Sequence, residues 1–347
     1  MHSASLGTSD EPLSRAYDTA VLDLDGVVYV GRNAVPGAPE HLAQARQAGM
    51  HLAYVTNNAA RPPATVAEHL RSLGVETDVA DVVTSAQAAA RVLADQLPDG
   101  STVYLIGGDG LAEALTERGL VPVTRTGDDE PGGDPVAVVQ GYGPDMPWRQ
   151  VVAGAILVRD GLPWVASNTD LTIPTATGIG PGNGTLVRLV ADYAGRDPVV
   201  AGKPQPPLFK ETLLRVGGQR PLVVGDRLDT DIEGAHNVGW DSLLVLTGVT
   251  GLAELVAASR EQRPTYVAPD LAALAEPQHA PAVDDGVVSL GGWRMSVSDG
   301  RLRVEGDGSP GDWWRCVAVA AWAHLDSTGE RVDTSAVTVP DTAPQVA

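Results

Sequence analysis

Four short polar stretches hold the residue types with which this chain could do chemistry. They are Asp23-Leu24-Asp25-Gly26, Thr56-Asn57-Asn58, Gly202-Lys203-Pro204 and Asp226-Arg227-Leu228-Asp229-Thr230-Asp231, and each follows an apolar run. Asp23 and Asp25 stand one residue apart among Ala20, Val21, Leu22, Leu24, Val27 and Val28. Alternation along a strand turns two such side chains the same way. Carboxylates held that close repel each other unless a cation or a shared proton compensates. Magnesium suits the task, because it takes hard oxygen ligands and keeps positions open for phosphate oxygens. Singly, each stretch has a plainer reading. Asp-Gly is common in turns, Thr-Asn-Asn can cap a helix, Gly-Lys-Pro is an ordinary turn, and Asp-Thr-Asp can be a cap. Four in order, each closing an apolar run, point to one site, since ligands of open α/β sheets gather at the carboxyl ends of strands.

The elements that must position these residues read as alternating strands and helices. Val21 and its neighbours form a buried strand of a parallel sheet. Residues 40–49 have helical spacing closed by a glycine, and 51–55 form a second buried strand. Pro62-Pro63 opens a helix running toward Gly74, and residues 81–87 read as a strand end and a helix start. Strand and helix alternate again from Thr102 to about Asp197, so this block is expected to be an inserted domain; residues 128–134 are an acidic, glycine-rich loop within it. The chain then returns with strands at 198–201, 222–226, 242–246 and 266–267. Residues 276–281, with two prolines, mark a linker. Beyond it the Ser298-Asp299-Gly300 turn signals a hairpin, and 312–325 read as a helix with Trp314, Val317, Ala318, Ala321 and Leu325 on one face. Residues 1–17 are polar and irregular and are expected to be a loose tail, as are the proline-interrupted last residues.

The domain expectation is a discontinuous core over 17–85 and 198–275, an insert over 86–197, and an appended segment over 282–347. The fold class is α/β: a Rossmann-like parallel sheet core, an inserted α/β domain and a small C-terminal α+β segment. With 347 residues there is ample material for two or three domains. Lys+Arg number 24 against 44 Asp+Glu, a net charge of −20, which argues against nucleic acid or an anionic membrane surface as partner. Lys203 and Lys210 are the only lysines, every other basic side chain except histidine being arginine. The single cysteine, Cys316, rules out an intramolecular disulfide and suits a reducing compartment. There is no long uncharged apolar segment and no hydrophobic signal core at the start. A cytoplasmic location is expected.

Taken together, Asp23-Leu24-Asp25-Gly26-Val27-Val28-Tyr29, Thr56-Asn57-Asn58, Ala201-Gly202-Lys203-Pro204 and Val224-Gly225-Asp226 through Ala235 resemble the haloacid dehalogenase-like phosphohydrolases. The likeness is to their type IIA branch, which holds glycerol-3-phosphate, phosphoglycolate and nitrophenyl phosphatases. Gly180-Pro181-Gly182-Asn183-Gly184 looks like part of that branch's large α/β cap, and the resemblance runs from about Tyr17 to Leu274. It implies a magnesium-dependent phosphomonoesterase working through an aspartyl-phosphate. Asp23 would be the nucleophile, ionised at neutral pH without an activating base. Asp25 would protonate the leaving alkoxide and then activate water. Mg2+ would be held by the Asp23 carboxylate, the Asp25 backbone carbonyl and Asp226, with Asp231 orienting metal-bound waters or Lys203. Thr56, Asn57 and Asn58 would hold phosphoryl oxygens, and Lys203 would supply fixed positive charge. Dehalogenases of this fold lack a second aspartate two residues on, so Asp25 favours phosphoryl transfer over carbon–halogen cleavage.

The insert is expected to close over the site and to select a short substrate. Asn168 and Asp170 sit where such caps carry a loop turned to the core, and could bind substrate hydroxyls or simply form Asx turns. The substrate expectation is glycerol 3-phosphate, with phosphoglycolate or a nucleotide monophosphate as the runner-up. Two non-enzymatic readings compete: a phospho-receiver, disfavoured by the domain-sized insert, and a silent scaffold, disfavoured by the complete motif set. His236 reads as a packing residue. The terminal segment could pack on the core, make a homodimer contact or be a degenerate domain; Trp313, Trp314 and Trp322 look like core rather than a ligand platform.

Overall fold

The computed structural model describes residues 5–124, 134–175 and 178–340. Most of the acidic loop at 128–134 and the residues after 340 lie outside them. The chain divides into two compact units, one of residues 1–53, 73–75 and 218–347, the other of 54–72 and 76–217.

The first unit is built on parallel strands. Tyr266–Ala268, Asp241–Val245, Pro221–Gly225 and Thr19–Leu22 lie side by side in that order, all parallel. Every residue of Thr19–Leu22 and Pro221–Gly225 is buried, as expected of strands covered on both faces. The helix Ala38–Gln47 starts on a proline at its first turn, and Leu42 and Ala45 face inward. Residues 5–17 are not a loose tail. Leu6 and Leu13 are buried, the Gly7 amide donates to the Thr265 carbonyl at 2.8 Å, and Ser9 pairs with Gln278. Two leucines anchor a segment that is otherwise mostly polar.

The appended segment belongs to this unit. Its strands Ala282–Asp284, Val287–Leu290, Trp293–Ser298 and Arg301–Gly306 form an antiparallel meander. Three two-residue turns join them, Asp285-Gly286, Gly291-Gly292 and Asp299-Gly300, all at positive φ. Such turns match the right-handed twist of the strands they connect. The helix Pro310–Thr328 is capped by the Ser309 hydroxyl, which accepts from the Asp312 amide. It is buried all round from Trp313 to Trp322 rather than along one stripe. Its side chains share one core with Leu244, Leu246, Leu255 and Val267. Arg315 ties it down through bonds to the Val267 carbonyl and Gln278 Oε1, and Trp322 Nε1 donates to the Leu255 carbonyl at 2.8 Å. The segment therefore packs on the core.

The second unit has its own parallel five-stranded sheet, in the order Val199–Val200, Trp164–Ala166, Ala137–Gln140, Thr102–Ile106 and Val121–Val123. The helices Trp148–Arg159 and Asn183–Ala194 cover it, sharing a core with Tyr104, Ile106 and Val138. The strand His51–Thr56 begins in the first unit and ends in the second, where it pairs in parallel with Val82–Thr84. There the helix Ser85–Ala94 starts on a capping box of Thr84 and Gln87. The helices at 85–94 and 206–216 meet around a buried carboxylate, Glu211, which accepts from Arg91, Arg118 and Arg215. Among the described residues, no helix is long and apolar enough to cross a membrane.

Candidate active site

In the first unit, two adjacent parallel strands deliver acids to one point. The strand Thr19–Leu22 stops before Asp23, whose amide still donates to the Val224 carbonyl at 2.8 Å. The chain then turns: the Gly26 amide donates to the Tyr29 carbonyl three residues on, at 2.8 Å, with Gly26 at φ +84°. A side chain there would be strained and would collide with Asp226. The neighbouring strand Pro221–Gly225 delivers Asp226. Residues Leu228–Ile232 form one wide helical turn in which the Ile232 amide bonds the Arg227 carbonyl five residues back. Such turns recur at functional sites. This one brings Asp231 back beside Asp226, with the Arg227 amide donating to Asp231 Oδ2 at 3.1 Å.

The result is a group of three carboxylates, Asp23, Asp226 and Asp231, whose candidate ligand atoms lie within 4.8 Å of one another. Asp226 and Asp231 are fully buried, and Asp23 is partly exposed. An all-oxygen, anionic set of this size fits a hard divalent cation, and without one the charges repel. Asp231 stands among the three carboxylates rather than behind them. The exposed Asp25 is not a member of that group. Asp229 pairs with Arg227 at the surface, 2.8 Å apart, and His236 is exposed rather than packed.

In the second unit, Thr56, Asn57, Asn58, Asn168, Asp170 and Lys203 are brought together by a web of bonds around Asn57. Its side-chain amide donates to the Lys203 carbonyl and to Asp170 Oδ1, each at 3.1 Å. Its Oδ1 accepts from the Lys203 amide at 2.8 Å. Asn57 thus holds the backbone of Lys203 at both ends, and Lys203 is 4% exposed. The Asn57 carbonyl in turn accepts from Ser85 Oγ at 2.5 Å and from Asn168 Nδ2 at 2.6 Å. Asn168 also forms the Asx turn that its residue type allowed, its Oδ1 accepting from the Asp170 amide at 3.2 Å. Thr56 Oγ1 accepts from the Asn58 amide, and Asn58 Oδ1 from the Ala60 amide. Ser85 and Asn183, which donates to the Asn168 carbonyl at 2.7 Å, complete the web. Neither carries a site expectation from the sequence, where Ser85 lies in the helix start at 81–87 and Asn183 in the glycine-rich stretch at 180–184.

Buried parallel strands, acids at their carboxyl ends and a lysine held by a threonine–asparagine loop define a haloacid dehalogenase-like hydrolase. Two family descriptions match along the chain, haloacid dehalogenase-like hydrolase over residues 20–121 and HAD-hydrolase-like over 200–274. The chain belongs to that family. Among relatives, D-glycerol 3-phosphate phosphatase of Mycobacterium tuberculosis is 41% identical over 319 residues, 89% of this chain and 87% of that protein. Acid sugar phosphatase of Staphylococcus haemolyticus is 35% identical over 257 residues, 74% of this chain and 94% of that one. The crystal structure of the M. tuberculosis glycerol phosphate phosphatase with magnesium superposes with a TM-score of 0.82 at 40% identity, covering 93% of this chain and 94% of that one. The 4-nitrophenylphosphatase of Thermotoga maritima gives 0.69 at 27% identity, covering 76% and 98%. At 89% of this chain the match to the first relative reaches into the appended segment, whereas the acid sugar phosphatase accounts for 74% of the chain.

Proposed function

We propose that this protein is a magnesium-dependent phosphomonoesterase that converts glycerol 3-phosphate to glycerol and phosphate. The observation that carries the reading is the convergence of Asp23, Asp226 and Asp231 within 4.8 Å at the ends of adjacent parallel strands. The three carboxylates would hold Mg2+, with the Asp25 backbone carbonyl as a further donor; when bound, the ion neutralises part of the charge of a phosphate dianion. Asp23 attacks phosphorus, the bond from phosphorus to the ester oxygen breaks, and Asp25 gives that oxygen its proton. Asp25, now ionised, takes a proton from water as the water attacks the aspartyl-phosphate, which returns Asp23 and releases phosphate. Asp25 suits this work because it is exposed and outside the carboxylate group.

Thr56, Asn57 and Asn58 are assigned to the phosphoryl oxygens and Lys203 to its charge. A buried lysine needs an anion, and the Asn57 side chain fixes its backbone. Residues 86–197 are assigned to substrate choice, with Asp170 as the group that reads a substrate hydroxyl. Asn168 is better cast as a support, since its amide and carbonyl oxygen are both spent on backbone. The glycerol 3-phosphate assignment follows the name of the relative at 41% identity. A sugar phosphate is the second reading, favoured by the relatives at 35%. The acidic chain and its single buried cysteine fit a reducing cytoplasm. Phosphate release should be measured with magnesium on glycerol 3-phosphate, phosphoglycolate, hexose phosphates and nucleotide monophosphates. Highest kcat/KM on glycerol 3-phosphate supports the assignment; a tenfold preference for any other ester replaces it.

A further inference from the structure

The loop Thr247-Gly248-Val249-Thr250, after the strand Asp241–Val245, carries no charged residue yet makes three hydrogen bonds to Asp226 and Gly26 at the acidic centre. Its strand neighbours Pro221–Gly225 in parallel register, so the loop emerges next to Asp226. The Val249 amide donates to Asp226 Oδ2 at 2.6 Å, a short bond of the charge-assisted kind. The Thr250 amide donates to the Asp226 carbonyl at 3.1 Å. Thr247 Oγ1 donates to the Gly26 carbonyl at 2.6 Å, which anchors the turn that follows Asp25. Between these bonds sits Gly248. A Cβ there would lie 2.0 Å from Asp226 Oδ2 and 2.8 Å from the Gly26 Cα, so only glycine lets the two loops approach. From its own side, a Cβ on Gly26 would lie 2.4 Å from the same oxygen.

We infer that Thr247 and Gly248 are positioning residues for the cation site. They lock the Asp226 carboxylate to the nucleophile's turn, so that Asp226 and the Asp25 backbone stay at one spacing whether or not an ion is bound. Thr247 touches neither substrate nor ion in this account. It acts through Gly26, and the Val249 amide orients Asp226. The inference rests on the magnesium reading proposed above, and the test separates the two.

Thr247→Val, Thr247→Ser and Gly248→Ala should be compared with the parent by titration calorimetry with MgCl2 in the absence of substrate. Melting temperature without metal is recorded alongside to report folding. Partners that orient metal ligands are commonly worth about 10- to 100-fold in affinity. Thr247→Val should therefore weaken Mg2+ binding by roughly tenfold and raise the Mg2+ concentration for half-maximal turnover in step, with the substrate KM at saturating magnesium unchanged. Thr247→Ser keeps the hydroxyl and should stay within about twofold of the parent, whereas Gly248→Ala should lose at least as much as Thr247→Val. If the parent binds no Mg2+, the magnesium reading fails and takes this inference with it. If the parent binds and folded Thr247→Val binds equally well, the positioning role alone is refuted. Should Thr247→Val not fold, Gly248→Ala decides, and parental affinity there overturns the inference.

Discussion

Replacing Glu211 by glutamine tests how the second unit is held together. Its side chain is fully buried, and its two oxygens accept from Arg91 Nε at 3.0 Å, Arg118 Nη2 and Arg215 Nε at 2.5 Å each. Arg215 has a second acid, Glu117, at 3.2 Å, and Arg91 has the surface-exposed Asp95 at 3.7 Å. Glutamine keeps the volume but turns one acceptor into a donor facing a guanidinium, and leaves three arginines with too little negative charge. Removing one partner of a fully buried pair costs about 3 to 5 kcal/mol. Here the arginine side chains keep 20 to 31% exposure, so water takes up part of the loss. A cost of about 2 to 3 kcal/mol follows, or roughly 5 to 10 °C in the melting temperature of a unit this size. The pH dependence has a definite sign. Burial pushes the Glu211 carboxyl up, but hydrogen bonds from Arg215 and Arg91 outweigh it and hold the group below its ordinary value of 4.5. A carboxyl lowered in the folded state stabilises above its unfolded pKa and loses that contribution as pH falls through the folded one. The gap between parent and Glu211→Gln should be full at pH 7 and shrink below about pH 4.5. Differential scanning calorimetry from pH 7 to pH 3.5 measures both. Melting temperatures within 1 °C at pH 7, or a gap that stays constant to pH 3.5, would refute the reasoning.

Three further outcomes follow from the same contacts. Burial, with Asp312 adding to it, pushes the Cys316 thiol up to about 12, so a disulfide reagent at pH 8 should leave it unmodified in the native protein and react at once in denaturant; fast native modification would mean the terminal helix opens readily. Asp226→Ala should abolish detectable Mg2+ binding by calorimetry, because the carboxylate removed is a central member of the group; unchanged binding would place the ion elsewhere. Asp170→Ala should lower kcat/KM for glycerol 3-phosphate roughly five- to 150-fold more than for nitrophenyl phosphate, which has no hydroxyl to lose. Equal losses on both esters would assign Asp170 to supporting Asn57, to which it is bonded at 3.1 Å.

The parts of this molecule that were legible in its sequence are those where one short pattern carries one physical meaning. Apolar runs such as Leu222-Val223-Val224 read as buried parallel strands, and the polar residues that follow four of them, among them Asp23, Asn57, Lys203 and Asp226, are the candidate site. The position of Asp231 was less legible, because a five-residue spacing gives its distance along an ordinary helix, whereas residues 228–232 wind more widely. The Thr247–Thr250 loop is not legible as part of the site, because its shortest contact to Asp226 is a backbone amide, which every residue but proline possesses. The N-terminal docking of Leu6 and Leu13 was masked by the polar residues around them. In the terminal segment the Asp299-Gly300 turn is readable from its flanking runs, while Asp285-Gly286 and Gly291-Gly292, which divide the rest of the meander, lie beside strands of only three and four residues.

The central claim is that Asp23 attacks a phosphate ester of a small polyol. Steady-state phosphate release from glycerol 3-phosphate with saturating magnesium, for the parent and for Asp23→Asn, tests it most directly. The substitution keeps the side chain's size and removes the anionic attacker, so turnover should fall by about three orders of magnitude or more while the melting temperature holds. A parent with no activity on any ester, or an Asp23→Asn variant within tenfold of it, would contradict the account.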